Sequence, residues 1–197
     1  MKKSLQIGLL HLAPTLGALE ANRALIESGT RAAAGLGADW IVSGELVVPG
    51  YRFAPLLGTK WIGEQPDVWM RRLGELGAEL GVVTFLSHPE RDIASGRLFN
   101  SLFVIGREGR LLGRQRKLHP TPISEGWASG GAPSGPVLVD GLQVGLLVCA
   151  DAYAAGPALR LRAPRARSCS SRPLPGGPAS GVRTASGKRA PTTPGSR

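Results

Sequence analysis

Three residues in this chain of 197 stand where side-chain chemistry is possible: Glu45, Lys117 and Cys149. Cys149 closes the apolar run VGLLV, where a buried strand gives way to a possible helix from Asp151 onward. A thiol at a helix N-terminus has its pKa lowered, and the thiolate is the competent nucleophile. The same position also reads as one more apolar strand residue, since free cysteine is among the most buried residue types. Glu45 follows DWIVS and precedes LVVPGY, which puts a carboxylate at the end of a buried strand in a largely uncharged stretch. Desolvation there suits general-base work near neutrality; the alternative is a loop glutamate facing water. Lys117, in GRQRKLHP, lies just past a short strand, where an ammonium reaches the same mouth. Arg114, Arg116 and Lys117 also fit a solvated basic run.

The elements that must position these residues can be read from hydrophobic period and turn residues. Ser4 to Leu12 reads as a strand, Leu16 to Leu36 as a helix ending near Gly35 and Gly37, and Asp39 to Ser43 as a short buried strand. Pro66 to Leu80 places Val68, Trp69, Leu73, Leu76 and Leu80 at helical spacing. Strands follow at Val82 to Leu86, Leu98 to Ile105 and Arg110 to Arg114, the last two joined by a Glu108-Gly109 hairpin turn. A long Pro/Gly-rich loop from His119 to Pro136 leads to Val137 to Val139, an Asp140-Gly141 turn and Leu142 to Val148. Alternating elements followed by hairpins give an α/β class with a mixed sheet. Glu45, Lys117 and Cys149 then each fall at or just beyond a strand end, where open α/β sheets build their sites. His11 reads as a core histidine and His88 as turn chemistry, while Asp151 is either the cap of the helix after Cys149 or simply exposed.

On these residues the chain resembles the nitrilase superfamily of carbon-nitrogen hydrolases. The resemblance rests on GADWIVSGELVVPGY around Glu45, HPERDIASGRLFNSLFVIGREGRLLGRQRKLHP ending in Lys117, and VGLLVCAD around Cys149. Between them lies the pattern Asn100, Ser101, Gly106, Gly109, Arg116, Lys117. The resemblance implies an αββα sandwich and a catalytic triad of Glu45, Lys117 and Cys149, with Glu125 as a supporting second glutamate. It also implies hydrolysis of a non-peptide amide or nitrile through a cysteine thioester, with no metal or organic cofactor. Tyr51 and Trp127 are candidates for the substrate pocket, and the family's homo-oligomers are an expectation for its full-length members. Gly44 stands where family members usually carry proline, a minor departure.

The formal net charge of +10 is unevenly spread. Residues 1–151 hold 15 Lys and Arg against all 14 acids, whereas residues 152–197 hold nine Lys and Arg and no acid. From residue 163 the chain is Pro, Gly, Ser, Ala and Arg with two large aliphatics, too little apolar area to offset ordering entropy, so 163–197 is expected to be a disordered basic tail. Residues 1–162 then form a partial carbon-nitrogen hydrolase domain that stops short of the family's later strands. The expectation is a truncated or frame-shifted chain, with the chemistry written in it but an incomplete scaffold to hold it. No run approaches a membrane span, and MKKSLQIGLLHLAP reads as a strand because His11 and Pro14 interrupt it. Two cysteines twenty residues apart suit a reducing cytoplasm. A second reading is a non-catalytic chain whose basic tail binds nucleic acid or acidic surfaces weakly, with steep salt dependence. Under that reading, deleting 163–197 abolishes polyanion binding in a salt-titrated binding assay; unchanged binding excludes it.

Overall fold

The computed structural model describes residues 4–153 and 156, together with the backbone of Ala166–Ser171. A five-stranded sheet runs in the order β1 (Ile7–Leu10), β2 (Trp40–Ser43), β3 (Val83–Arg91), β4 (Leu98–Ile105), β5 (Leu111–Arg116). Its first three strands are parallel, linked by α1 (Leu19–Gly35) and by a segment holding α2 (Ala54–Leu57) and α3 (Val68–Leu80); β3, β4 and β5 are antiparallel. A second sheet pairs β6 (Val137–Val139) with β7 (Leu142–Val148), and β7 with β8 (Ala166–Ser171). The α/β class and the sandwich of two sheets are as expected; the described layers are helices, sheet, sheet.

The periodicities explain the layers. Along β2, β3 and β4, Trp40, Val42, Val83, Phe85, Leu102 and Val104 face Val137, Val139, Val144, Leu146 and Val148 of the second sheet. The intervening Leu86, Phe103 and Ile105 pack on Ile26 of α1 and on Trp69, Met70, Leu73 and Leu76 of α3. Strands covered on both faces read as continuous apolar runs, which is why DWIVS and SLFVI lack alternation. Helix α3 starts where the Asp67 carboxylate accepts the Met70 N–H at 2.7 Å and stops at Gly81 in the left-handed conformation.

Three expectations need correction. His88 lies inside β3 opposite Ser101, because SHPER extends the strand to Arg91; burial pushes its imidazole down to about 4. His11 is exposed, since β1 ends at Leu10. The loop from His119 to Pro136 contains a short helix, α4 (Pro122–Glu125). Within the segment 163–197, Ala166–Ser171 form β8, whose backbone pairs in parallel with β7; an open strand edge offers unpaired N–H and C=O groups that an adjacent extended segment can take up. The remaining tail, 172–197, lies outside the described residues. Among the described residues no helix is long and apolar enough to cross a membrane.

The two sheets approach closely where β5 crosses β6. A Cβ on Gly113 would stand 2.6 Å from Val137 Cγ2, on a branched side chain that is stiff at χ1. Gly113→Ala should therefore cost about 1–3 kcal/mol of stability in a denaturant melt, and adding Val137→Ala should recover part of it. Additive losses in the double variant would show that the contact does not set the spacing.

Candidate functional site

Each side chain of the site is delivered by the end of an element. Chain leaving β2 turns sharply at Leu46, which has φ 49° and donates its N–H to Ser87 Oγ on β3 at 2.9 Å. Ser43 Oγ in turn accepts the Ser87 N–H at 3.1 Å. These crossed bonds fix the Glu45 peptide and point its carboxylate into the protein. Lys117, one residue past β5, is held by its own backbone: its N–H donates to the Asn100 carbonyl at 2.7 Å and its carbonyl accepts from Gly131 at 2.8 Å. Glu125 comes from α4, where its Oε2 accepts the Thr121 N–H at 3.0 Å. Cys149 opens a 3-10 turn, Cys149–Tyr153, directly after β7, with φ 47°. A left-handed conformation at a non-glycine residue is costly and recurs where a side chain must be presented on a tight strand-to-helix turn.

The structure brings Glu45, Lys117, Glu125 and Cys149 together. The Lys117 ammonium is fully buried and donates to Glu45 Oε1 at 2.7 Å and to Glu125 Oε2 at 2.5 Å. Burial pulls this lysine down, but the two carboxylates outweigh it and its pKa is raised above the ordinary value. One more donor joins the carboxylates: Asn100 Nδ2 gives a hydrogen bond of 2.8 Å to Glu45 Oε1 and one of 2.6 Å to Glu125 Oε1. Glu45 Oε2 is left buried without a partner.

Cys149 departs from the expectation of a depressed thiol. Burial and then the Glu45 charge push it up to about 12, outweighing Lys117 and the Ala150 N–H that favour the thiolate. A five-residue 3-10 turn offers little dipole against a carboxylate in direct range. The resting site therefore pairs a neutral thiol with a carboxylate rather than a thiolate with an ammonium.

Around this centre, Tyr51 places its ring centroid 5.9 Å from Lys117 Nζ and its hydroxyl 3.0 Å from Ser124 Oγ. Trp127 packs edge-on against Phe53 at 5.0 Å, its Nε1 buried and unpartnered. Asp151 neither caps its own turn nor faces water: fully buried, it accepts the N–H groups of Leu118 at 2.9 Å and His119 at 3.0 Å. Arg114 and Arg116 are not a free basic run, because both donate to the buried Glu90 carboxylate at 2.7 Å. Nothing in the sequence reveals the Asn100, Asp151 and Glu90 contacts, which join strands distant along the chain; Asn100 and Asp151 do fall within the patterns that carry the resemblance. A cavity of about 390 Å3 lies elsewhere, between α1 and α3, and contains none of the four central residues. Among the described residues no group of three or more His, Cys, Asp or Glu side chains is arranged to hold a metal ion.

The pattern of the carbon-nitrogen hydrolase family matches residues 6–175, so the chain belongs to that family. The match runs past residue 162, beyond the segment on which the sequence resemblance was drawn. Among solved structures, Saccharomyces cerevisiae Nit3, a member of branch 10 of the nitrilase superfamily, superposes with a TM-score of 0.73 at 17% identity, over 84% of this chain and 64% of that one. An amidase from Nesterenkonia sp. gives 0.74 at 22%, over 87% and 66%. A carbon-nitrogen hydrolase from Helicobacter pylori G27 gives 0.69 at 21%, over 79% and 55%. The chain thus spans 55–66% of the length of these three structures, which share its fold. Further structures of the Nesterenkonia amidase hold acrylamide or butyramide, and one shows an acetamide moiety added covalently at its active site cysteine. No curated protein matches the sequence.

The electrostatic balance at the thiol is open to measurement. Because the Glu45 charge raises Cys149, Glu45→Gln should move its titration down from about 12, yet leave it above the ordinary thiol range because burial persists. Ultraviolet thiolate absorbance, taken as the difference from a Cys149→Ala reference, reads this directly; an unmoved titration would show that the carboxylate does not act on the thiol.

Proposed function

We propose that the chain hydrolyses a small non-peptide amide or nitrile, with Cys149 as nucleophile, Glu45 as general base and acid, Lys117 as the group that holds developing charge, and Glu125 as its support. The observation that carries this reading is the buried ammonium of Lys117, bound to Glu45 and Glu125 beside a thiol in a strained turn. The amide complexes of the Nesterenkonia amidase support the substrate class.

In this reading Glu45 takes the Cys149 proton as sulfur attacks the amide carbon, so no free thiolate accumulates. This suits a thiol held near 12, since the proton moves to an adjacent base only as the carbon-sulfur bond forms. Negative charge grows on the carbonyl oxygen, where Lys117 and the backbone N–H after Cys149 stabilise it. The carbon-nitrogen bond breaks as Glu45 returns the proton to the departing amine, leaving a thioester. Water then gives a proton to Glu45 and its hydroxide adds to the thioester carbon. The carbon-sulfur bond breaks, the acid leaves, and Glu45 reprotonates the sulfur. Tyr51, beside the ammonium, forms part of the pocket wall, with Trp127 behind Phe53 as a weaker candidate.

Ammonia release from a panel of small amides and nitriles tests the assignment. Cys149→Ala should abolish turnover, and Glu45→Gln should lower kcat by roughly 10²–10⁴-fold. Lys117→Met should lower it by roughly 10²–10³-fold, provided the variant folds by circular dichroism. Turnover that persists in Cys149→Ala would overturn the assignment.

A further inference from the structure

The Asn100 side chain takes no part in those bond-making steps, yet it sits at the centre of the charged cluster and is fully buried. Its amide nitrogen donates to one oxygen of Glu45 and one of Glu125, and its backbone carbonyl accepts the Lys117 N–H. One residue of β4 therefore holds both carboxylates with its side chain and, with its backbone, the peptide that carries the ammonium. Its Oδ1 has only a 3.5 Å contact from Ser87 Oγ, so the orientation that gives both amide hydrogens to the glutamates is the one with bonds to make.

Two carboxylates bound to a single ammonium carry one excess negative charge in a buried site. Such pairs relieve their repulsion by taking up a proton, unless donors satisfy the charged form of each. Lys117 supplies one donor to each glutamate and Asn100 a second, both on Glu45 falling at Oε1. A proton on Glu125 competes with bonds already made at both oxygens, and a proton on the free Oε2 of Glu45 weakens the two bonds accepted at Oε1. The titratable groups facing the pair from the surrounding elements are Lys117, Cys149 and Tyr51; Asp151 is committed to Leu118 and His119.

We propose that Asn100 is the positioning residue that keeps Glu45 and Glu125 jointly ionised, so that Glu45 stands ready to take the Cys149 proton. The proposal rests on the hydrolase reading above, and its test separates the two. The full chain is treated with iodoacetamide across pH, and modification of Cys149 is followed by peptide mass spectrometry, which resolves it from Cys169. Base-assisted attack gives wild type a neutral plateau that ends in an acid limb, and Glu45→Gln removes that plateau. Asn100→Asp, which loses the donor and adds charge, should move the acid limb up by about one pH unit, roughly a tenfold loss of rate on the acid side. Asn100→Ser, which keeps a single donor, should move it by less, and it decides the matter if Asn100→Asp does not fold by circular dichroism. A limb that stays at the wild-type pH in folded variants, with only the melting temperature lowered, makes Asn100 purely structural and overturns the proposal. A wild-type profile without a Glu45-dependent plateau overturns the hydrolase reading, and the Asn100 assignment with it.

Discussion

An ammonium with no solvent exposure is the constraint around which this fold is arranged. Taking a charge of that kind out of water costs several kcal/mol even after relaxation, and only close partners with good geometry offset it. Lys117 has two, Glu45 and Glu125, and each carboxylate would in turn be an uncompensated buried charge without the lysine. Removing any member leaves the others stranded, so the segment after β2, the end of β5, the middle of β4 and the short helix α4 are bound to one another by electrostatics. That interdependence explains why α4 exists at all: four residues cannot hold a helix by propensity, but Glu125 is anchored at both of its oxygens.

Burial first, and then the same cluster, decide the state of the thiol. Lys117 is neutralised by its two carboxylates, so Cys149 feels an excess of negative charge rather than a positive one. At an effective dielectric of ~20 a unit charge ~4 Å away is worth about 4 kcal/mol, more than a terminal turn dipole supplies. Cys149 is consequently held as a thiol beside a carboxylate, unlike a cysteine whose thiolate is stabilised in advance. A protonated sulfur is poorly reactive toward oxidants and stray electrophiles until a neighbouring group takes its proton.

Elements whose signal is local were legible in the sequence, and contacts between distant strands were not. Leu98–Ile105, Val137–Val139 and Leu142–Val148 coincide with their apolar runs, and the turns at Glu108-Gly109 and Asp140-Gly141 hold because those glycines take positive φ. His88 and Pro89 obscured β3, since proline is depleted from inner strands; the ladder to β4 nevertheless continues through Arg91 because Glu90 faces Ser101, Arg114 and Arg116 there. The gathering of Glu45, Lys117, Glu125 and Cys149 was foreseen from the family resemblance, while the character of the thiol was inferred from a helix terminus and came out reversed. That error has two causes: neither the burial of the thiol nor the charge of a partner about 100 residues away can be weighed until the sheets are stacked.

Stacking is therefore the last determinant of the site. Asn100 lies in the five-stranded sheet, Glu45 and Lys117 just beyond two of its strands, and Cys149 just beyond β7 of the other sheet, so their separation is set by how the sheets slide. Apolar packing of valines and leucines between sheets is weakly directional and does not by itself fix such a slide. Polar pins at both ends of β7 do. Before the strand, Asp140 accepts from Trp40 Nε1 at 2.8 Å and pairs with Arg107 at 2.9 Å, binding its turn to β2 and to the β4–β5 hairpin. After the strand, Asp151 accepts the two N–H groups that follow Lys117. A strand of seven residues held at both ends by carboxylates reaching across to the other sheet has little freedom to shift, and Cys149 lies between those anchors, next to the second. The sandwich thus converts two aspartates, Asp140 and Asp151, into the ruler that sets where the Cys149 sulfur lies relative to the Glu45 carboxylate.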